Sequence, residues 1–284
     1  MLSDTFLNRL DALRLAMKNP ASGGAGGLRR SRSLGSSAEF SDFREYAPGD
    51  DIRRLDWNAY ARFDRLFMKL FMEEQESVVT VIVDGSASMN AKRDDAIKAA
   101  EAIGYLALSG GDRLRIAWTG EDGASLSPFL SGRRAYPQMT DFLARQSMRG
   151  KTALTSGVRR IDPFPKGMSF VISDGYIEDR LDRLLDLLRY KRQEAAFVHV
   201  LSPFEMKPDL EGAVKLQDAE GAPDLDILAD GATLRLYQTA LDAFLKQARE
   251  ACHRRGAPYL LLCGDVPFEE GFLPVMARSG MIAP

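Results

Sequence analysis

The sequence predicts an α/β protein: a doubly wound, mostly parallel sheet, with an N-terminal extension and a small β insertion. Two observations carry this. After residue 76, short apolar runs of strand length alternate with longer stretches whose apolar residues recur every three or four positions. The runs are apolar throughout rather than at alternate positions, as strands covered on both faces require.

In chain order, Leu2, Phe6, Leu10, Leu13 and Met17 form one apolar stripe, which predicts a helix over 2–17, ending before Asn19-Pro20. The following Gly/Ser-rich stretch, with Arg29, Arg30 and Arg32 inside it, has no period and reads as a solvated linker. Alternation of Leu66, Met68, Leu70 and Met72 fits a strand with one face buried. From there the expected elements are the strand "SVVTVIVD", a helix over 91–109, the strand "DRLRIAW", a helix over 134–146, another from about 153, the strand "MSFVISD", a helix over 179–190 and the strand "EAAFVHVL". Residues 203–238 break the rhythm with turn-punctuated runs such as "AVKLQDAEGAP" and "ATLRLYQ", which predicts an insertion containing a hairpin. A helix carrying Leu241, Phe244, Leu245 and Ala248 and the strand "PYLLLCGD" resume the alternation. The expected organisation is 1–38 as helix and linker, 39–76 as a segment packed on the main domain, and 77–284 as the main domain.

Basic and acidic side chains number 38 and 40, so bulk charge points to neither nucleic acid nor an anionic membrane. Two cysteines, Cys252 and Cys263, suit a reducing compartment and no disulfide or zinc framework. The chain lacks an apolar stretch of about 18 residues, and Asp4 and Asp11 stand where a targeting peptide avoids acid, so the expectation is a cytoplasmic protein without membrane insertion.

The chemistry gathers at strand ends. In "VVTVIVDGSASM", residues Asp84, Ser86 and Ser88 sit at i, i+2 and i+4, so an extended segment presents three oxygens to one point. Hard oxygens suit a hard cation, and Mg²⁺ or Ca²⁺ needs further carboxylate and hydroxyl donors. "MSFVISDGY" delivers Asp174 at the end of another strand, and "RGKTALTSG" supplies Thr152 in a loop opening a helix. In open α/β sheets the carboxyl ends of the strands line the ligand crevice. The plain alternative is that both aspartates cap turns after strands.

Asp84-x-Ser86-x-Ser88, Thr152 and Asp174, in this order, resemble the metal-ion-dependent adhesion site of von Willebrand factor A domains, which are Rossmann-like in winding; "GDRLRIAW" resembles that family's second strand. The resemblance implies a bound Mg²⁺ (or Mn²⁺ or Ca²⁺) held by the two serines and the threonine, with the aspartates acting directly or through water, and a partner's carboxylate completing the shell. Residues 39–76, with Arg44, Glu45, Tyr46, Pro48, Gly49, Asp50, Asp51, Arg53, Asp56, Trp57, Ala61, Arg62, Lys69 and Glu74, resemble the signature of the bacterial domain of unknown function family 58, which precedes a von Willebrand A-type domain. Together the resemblances cover about residues 35–270. They imply a protein-interaction module whose partner is an AAA-type ATPase of the MoxR kind, in chaperone-like complex assembly. Arg44, Asp50, Asp51, Arg53, Arg54, Asp56 and Trp57 form either a structural clasp or a partner surface.

Enzyme readings fare less well. "RGKT" resembles the tail of a P-loop, but the first glycine would fall at Arg145. "DGSASM" is no hydrolase nucleophile elbow, and neither His199, in a core strand, nor His253, at a helix end, is placed as a general base. A Mg²⁺-dependent phosphatase or hydrolase using Asp84 and Asp174 is the alternative, though no separate aspartate nucleophile stands near Asp84.

Overall fold

The computed structural model describes residues 1–16, 39–48, 50, 55–72 and 78–283 of the chain. It forms two compact units, Met1–Ser31 with Ser77–Pro284, and Arg32–Glu76.

The main unit opens with helix α1 (Asp4–Asp11), whose Ser3 cap accepts a hydrogen bond from the Phe6 amide, and strand β1 (Arg14–Leu15). The smaller unit holds β2 (Glu39–Glu45), α2 (Trp57–Phe63) and β3 (Phe67–Met72), with β2 and β3 antiparallel. Met68 is buried, as the alternation in this segment leads one to expect.

The main unit then continues through β4 (Val78–Asp84), α3 (Arg93–Ser109), β5 (Arg113–Gly120), β6 (Gly123–Leu126), β7 (Leu130–Ser131), α4 (Tyr136–Ala144), α5 (Leu154–Arg160), β8 (Gly167–Ser173), α6 (Leu181–Tyr190) and β9 (Gln193–Leu201). The short α7 (Pro203–Met206), the hairpin β10 (Gly212–Leu216) and β11 (Leu225–Ala229), α8 (Gly231–Arg254), β12 (Tyr259–Cys263), α9 (Phe268–Arg278) and β13 (Ile282–Ala283) complete it.

The central sheet has the order β12-β9-β8-β4-β5-β6, with β4 paired in parallel to both β5 and β8. Counted along the path in chain order, this is the 3-2-1-4-5-6 winding of doubly wound folds, with its third strand antiparallel. The order reverses beside β4, so the crevice at the carboxyl ends of β4 and β8 lies at the topological switch point.

Alternation along each strand divides the core between two faces. Val79, Val81 and Val83 of β4 pack with Leu114, Ile116, Phe170, Ile172, Val198 and Val200 beneath α3, α4 and α9. Ile82 points the other way, with Ala117, Val171 and Phe197, onto α5 and α6. Side chains buried on both faces are why the strands read as unbroken apolar runs.

The N-terminal helix is shorter than its periodicity predicts. It ends at Asp11, because Arg14–Leu15 leaves to pair antiparallel with Ile282–Ala283. Leu2, Phe6 and Leu10 of the predicted stripe are buried and Leu13 is partly so, while Met17 lies outside the described residues. Phe6 meets Phe268 and Phe272 of α9 edge-on, with ring centroids 6.2 and 6.3 Å apart. The extension therefore belongs to the main core.

The insertion is also smaller than expected. "ATLRLYQ" is the first part of α8, started by the Asp230 carboxylate accepting from the Thr233 amide; the second strand is "LDILA". An aspartate-glycine pair followed by a polar run reads as a turn, and here the same residues cap a 24-residue helix.

Replacing Phe6, 1% exposed, with alanine removes a ring from a well-packed site and is expected to cost about 3–5 kcal/mol. Urea unfolding checks this: a lower midpoint at unchanged slope is expected, and a midpoint indistinguishable from wild type would remove α1 from the core.

Candidate functional site

Strand β4 ends at Asp84, and Gly85 turns the chain out of the sheet. A side chain at Gly85 has no room, since its Cβ would lie 2.2 Å from Trp118 Nε1 and 2.6 Å from the Thr119 carbonyl oxygen. The Gly85 amide instead donates to that carbonyl at 2.7 Å. Two further backbone bonds fasten the loop before α5 to this turn: the Arg149 amide donates to the Gly85 carbonyl at 2.8 Å, and the Ala87 amide to the Gly150 carbonyl at 2.9 Å. Gly150 takes φ +70°, a conformation that favours glycine. This clamp delivers Thr152 to Asp84 from 68 residues away.

The oxygens then converge. Asp84 Oδ2 accepts from Ser173 Oγ at 2.9 Å and Thr152 Oγ1 at 3.3 Å, and Asp84 Oδ1 accepts from the Ser86 amide at 3.1 Å. Ser86 Oγ and Ser88 Oγ lie 3.1 Å apart. Asp84 and Ser86 are fully buried, while Ser88 and Thr152 are partly exposed, which makes these two the open side of the group. Burial, and then the charge of Asp174, push the Asp84 carboxyl up to about 6, against the hydrogen bonds from Ser173 and Ser86 that lower it. The folded chain holds this proton more tightly than the unfolded chain, so ionisation at neutral pH costs stability that a positive charge among these oxygens would return.

Asp174, also fully buried, ends the neighbouring strand but faces a different partner. Its Oδ2 accepts from Lys92 Nζ at 2.9 Å and its Oδ1 from the Tyr176 amide at 3.1 Å. Lys92 Nζ also donates to Glu205 Oε1 at 2.7 Å. Burial alone would lower the Lys92 ammonium, but Asp174 and Glu205 hold it above its ordinary value. Glu205 is fixed by a capping box with Ser202 at the start of α7. Beneath Asp174, His199 is pushed down to about 4 by burial and stays neutral. Its Nε2 lies 2.7 Å from the Asp174 carbonyl and its Nδ1 2.8 Å from Tyr259 Oη. A carbonyl only accepts, so Nε2 carries the proton and the tyrosine hydroxyl donates to Nδ1.

Sequence reasoning thus located Asp84, Ser86, Ser88, Thr152 and Asp174, of which the first four share one hydrogen-bonded cluster and the last stands beside it on an ammonium. It missed Ser173, adjacent to Asp174 and legible as a further hydroxyl at a strand end. It also missed Lys92 and Glu205, for which charge in a buried position is visible only in the fold. It missed Glu220 from the β10–β11 hairpin as well, whose Oε2 accepts from the Thr152 amide at 3.0 Å. Glu220 Oε1 is buried and has no hydrogen-bond partner.

These donors fit a small hard cation. Among the described residues no three His, Cys, Asp or Glu side chains are grouped to hold a metal, so an ion here depends on hydroxyls beside Asp84. The hydroxyls of Ser86, Ser88 and Thr152 supply them, and the spacing of the serine oxygens suits neighbouring ligands of a six-coordinate ion. Among the described residues, the orphaned Glu220 oxygen is an acceptor without a donor. An open cleft of 590 Å³ adjoins the site, lined by Gly85, Trp118, Arg145, Arg149 and Gly150 among others.

In the smaller unit, Arg44 Nη2 pairs with Asp50 at 2.5 Å, and Asp50 also accepts from the Ala47 amide at 2.9 Å. The Asp56 carboxylate caps α2 by accepting from the amides of Asn58 and Ala59, and Trp57 is 62% exposed. Asp51, Arg53 and Arg54 lie outside the described residues.

Fold and site together define a doubly wound α/β domain with a hydroxyl-and-carboxylate cluster at the switch point of its sheet, the arrangement implied by the resemblance to von Willebrand A-type domains. The chain belongs to the family described as "Protein of unknown function DUF58", which matches residues 42–246. Uncharacterized protein Rv1480 of Mycobacterium tuberculosis (strain ATCC 25618 / H37Rv) is 30% identical over 268 residues, 90% of this chain and 84% of the relative. Uncharacterized protein Mb1516 of Mycobacterium bovis (strain ATCC BAA-935 / AF2122/97) matches to the same extent. Among solved structures, the conserved hypothetical protein BatB from Bacteroides thetaiotaomicron is 12% identical with a TM-score of 0.44, over 72% of this chain and 98% of that one. The SpRpn10 VWA domain is 10% identical with a TM-score of 0.36, over 68% and 91%. The fold assignment rests on the strand order.

Lys92 is 2% exposed and matches two carboxylates, so Lys92→Met leaves Asp174 charged and buried without a counter-ion. A loss of about 3–5 kcal/mol is expected in thermal or urea unfolding. Combining it with Asp174→Asn is expected to recover much of that loss; a double variant as unstable as the sum of the singles would show that the pair is not coupled.

Proposed function

We propose that this protein is a metal-dependent protein-interaction module rather than an enzyme. The observation that carries this reading is the convergence of Asp84, Ser86, Ser88 and Thr152, whose open side is formed by the serine and threonine hydroxyls. Asp84, Ser86, Ser88 and Thr152 would hold Mg²⁺, or Mn²⁺ or Ca²⁺ in its place, with Asp174 acting from beside the cluster. When bound, the ion supplies a positive coordination position that accepts a carboxylate from another protein.

The chain's own residues do the rest. The Gly85–Gly150 clamp sets the distance between Ser88 and Thr152, and Ser173 orients Asp84. Lys92 neutralises Asp174, so the second strand-end carboxylate does not compete for the incoming partner. The adjoining cleft offers room for the segment flanking a partner's carboxylate. A hydrolase reading finds less support: both nitrogens of buried His199 are engaged, and Asp174 is occupied by Lys92.

The family resemblance suggests the partner, a MoxR-type AAA ATPase, with a role in chaperone-like complex assembly. Exposed Trp57 and the Arg44–Asp50 turn of the smaller unit are a second contact surface in this reading, alongside Asp51, Arg53, Arg54 and Asp56. Among the described residues no helix is long and apolar enough to cross a membrane.

The test is capture of partners from native lysate by tagged protein in Mg²⁺, in EDTA, and with Asp84→Ala, read by mass spectrometry. An ATPase retained only by wild type with Mg²⁺ is expected. A verified complex that survives EDTA would end the metal-bridge reading even with the fold unchanged.

A further inference from the structure

The β10–β11 hairpin is the insertion that interrupts the regular winding, and its tip, residues 217–224, reaches the site. Every residue of the tip is exposed except Glu220, which is half-buried. The turn is built to hold it there. Asp218 Oδ1 accepts from the Glu220 and Ala222 amides, both at 2.9 Å, and Lys215 pairs with Asp224 at 3.0 Å across the base of the tip.

Glu220 Oε2 accepts from the amide of Thr152, the residue whose hydroxyl donates to Asp84. Its second oxygen, Oε1, is shut off from solvent and, among the described residues, has no donor. A carboxylate oxygen stripped of water and left unmatched is unfavourable, and a chain that orders a turn to place it so needs something positive beside it. Lys92, the buried ammonium beside Asp174, is already committed to Asp174 and Glu205, and the charge of Lys151, next to Thr152, acts on Asp218 of the tip without giving Glu220 Oε1 a hydrogen bond.

Resting on the metal-dependent reading above, we infer that Glu220 is the site's own carboxylate ligand: it occupies, in cis, the coordination position that a partner's carboxylate takes. The hairpin is then a plug. A partner binds by displacing Glu220, and the solvent-exposed tip swings away with it. The closed form keeps the cation bound when no partner is present, and it filters out weak carboxylates, since an incoming group must compete with one already tethered.

Mn²⁺ serves as the probe, added to the full-length wild type and to Glu220→Ala, Glu220→Gln and Asp84→Ala. Calorimetry gives the affinity, and the relaxation rate of water protons reports how many waters the bound ion carries. Melting in EDTA verifies that each variant is folded. Asp84→Ala is expected to lose Mn²⁺ binding. Glu220→Ala is expected to bind at least about tenfold more weakly, with faster water relaxation per bound ion because water replaces the lost oxygen; Glu220→Gln falls between. Acetate is expected to slow relaxation in Glu220→Ala by displacing that water, and to leave wild type unchanged.

If both Glu220 variants match wild type in affinity and relaxation while Asp84→Ala still abolishes binding, Glu220 is no ligand and the metal site stands without it. If acetate acts equally on wild type and Glu220→Ala, the position is open and the plug is wrong. If wild type shows no Asp84-dependent Mn²⁺ binding, the metal-dependent reading falls and this inference with it.

Discussion

Asp84 is a carboxylate at the end of the central strand, buried with a second carboxylate, Asp174, at the end of the next strand. Two charges so close in a low-dielectric setting must each be matched, and much of the local architecture follows from how this is done. The backbone bonds of Gly85 and Gly150 draw two loops together so that Thr152 reaches Asp84, and Ser173 turns its hydroxyl to the same oxygen. The 3₁₀ turn Ala87–Lys92 carries Ser88 toward the cluster at one end and Lys92 toward Asp174 at the other.

The division of labour between the two aspartates gives the site its polarity. Asp174 is neutralised within the protein, by an ammonium that also fastens α7 through Glu205, and its backbone carbonyl is tied to neutral His199. Among the described residues, Asp84 is met by hydroxyls and an amide, groups that orient a carboxylate without cancelling its charge. One strand end is therefore neutralised within the protein, and the other keeps a carboxylate that is oriented and not cancelled. Partial matching of this kind is costly to a fold and is found where a ligand completes the set.

The embellishments on the sheet serve the same centre at different distances. Helix α1 and strand β1 close the face occupied by α3 and α9, through Phe6, Phe268 and Phe272 and through pairing with β13. That face provides the packed backing against which strand ends can hold their positions. The β10–β11 hairpin contributes almost nothing to the core, with most of its side chains exposed, yet it sends one glutamate into the site.

The doubly wound sheet was legible in the sequence because burial on both faces makes each central strand an unbroken apolar run, and nothing local competes with that signal. The placement of Asp84, Ser86 and Ser88 was legible for a similar reason, since the alternation of an extended chain is a local property. Boundaries were less so: α1 stops early because β1 finds a partner near the other end of the chain, and "ATLRLYQ" joins α8 because Asp230 caps it. The rest of the site was decided by tertiary structure alone. Lys92 meets Asp174 across 82 positions and Thr152 meets Glu220 across 68, and no pattern along the chain tells which charged side chain will be buried against which. The sequence determined the donors that strand geometry gathers by itself; the fold decided which charge is cancelled and which is left open, because that depends on the dielectric and the neighbours that only packing creates.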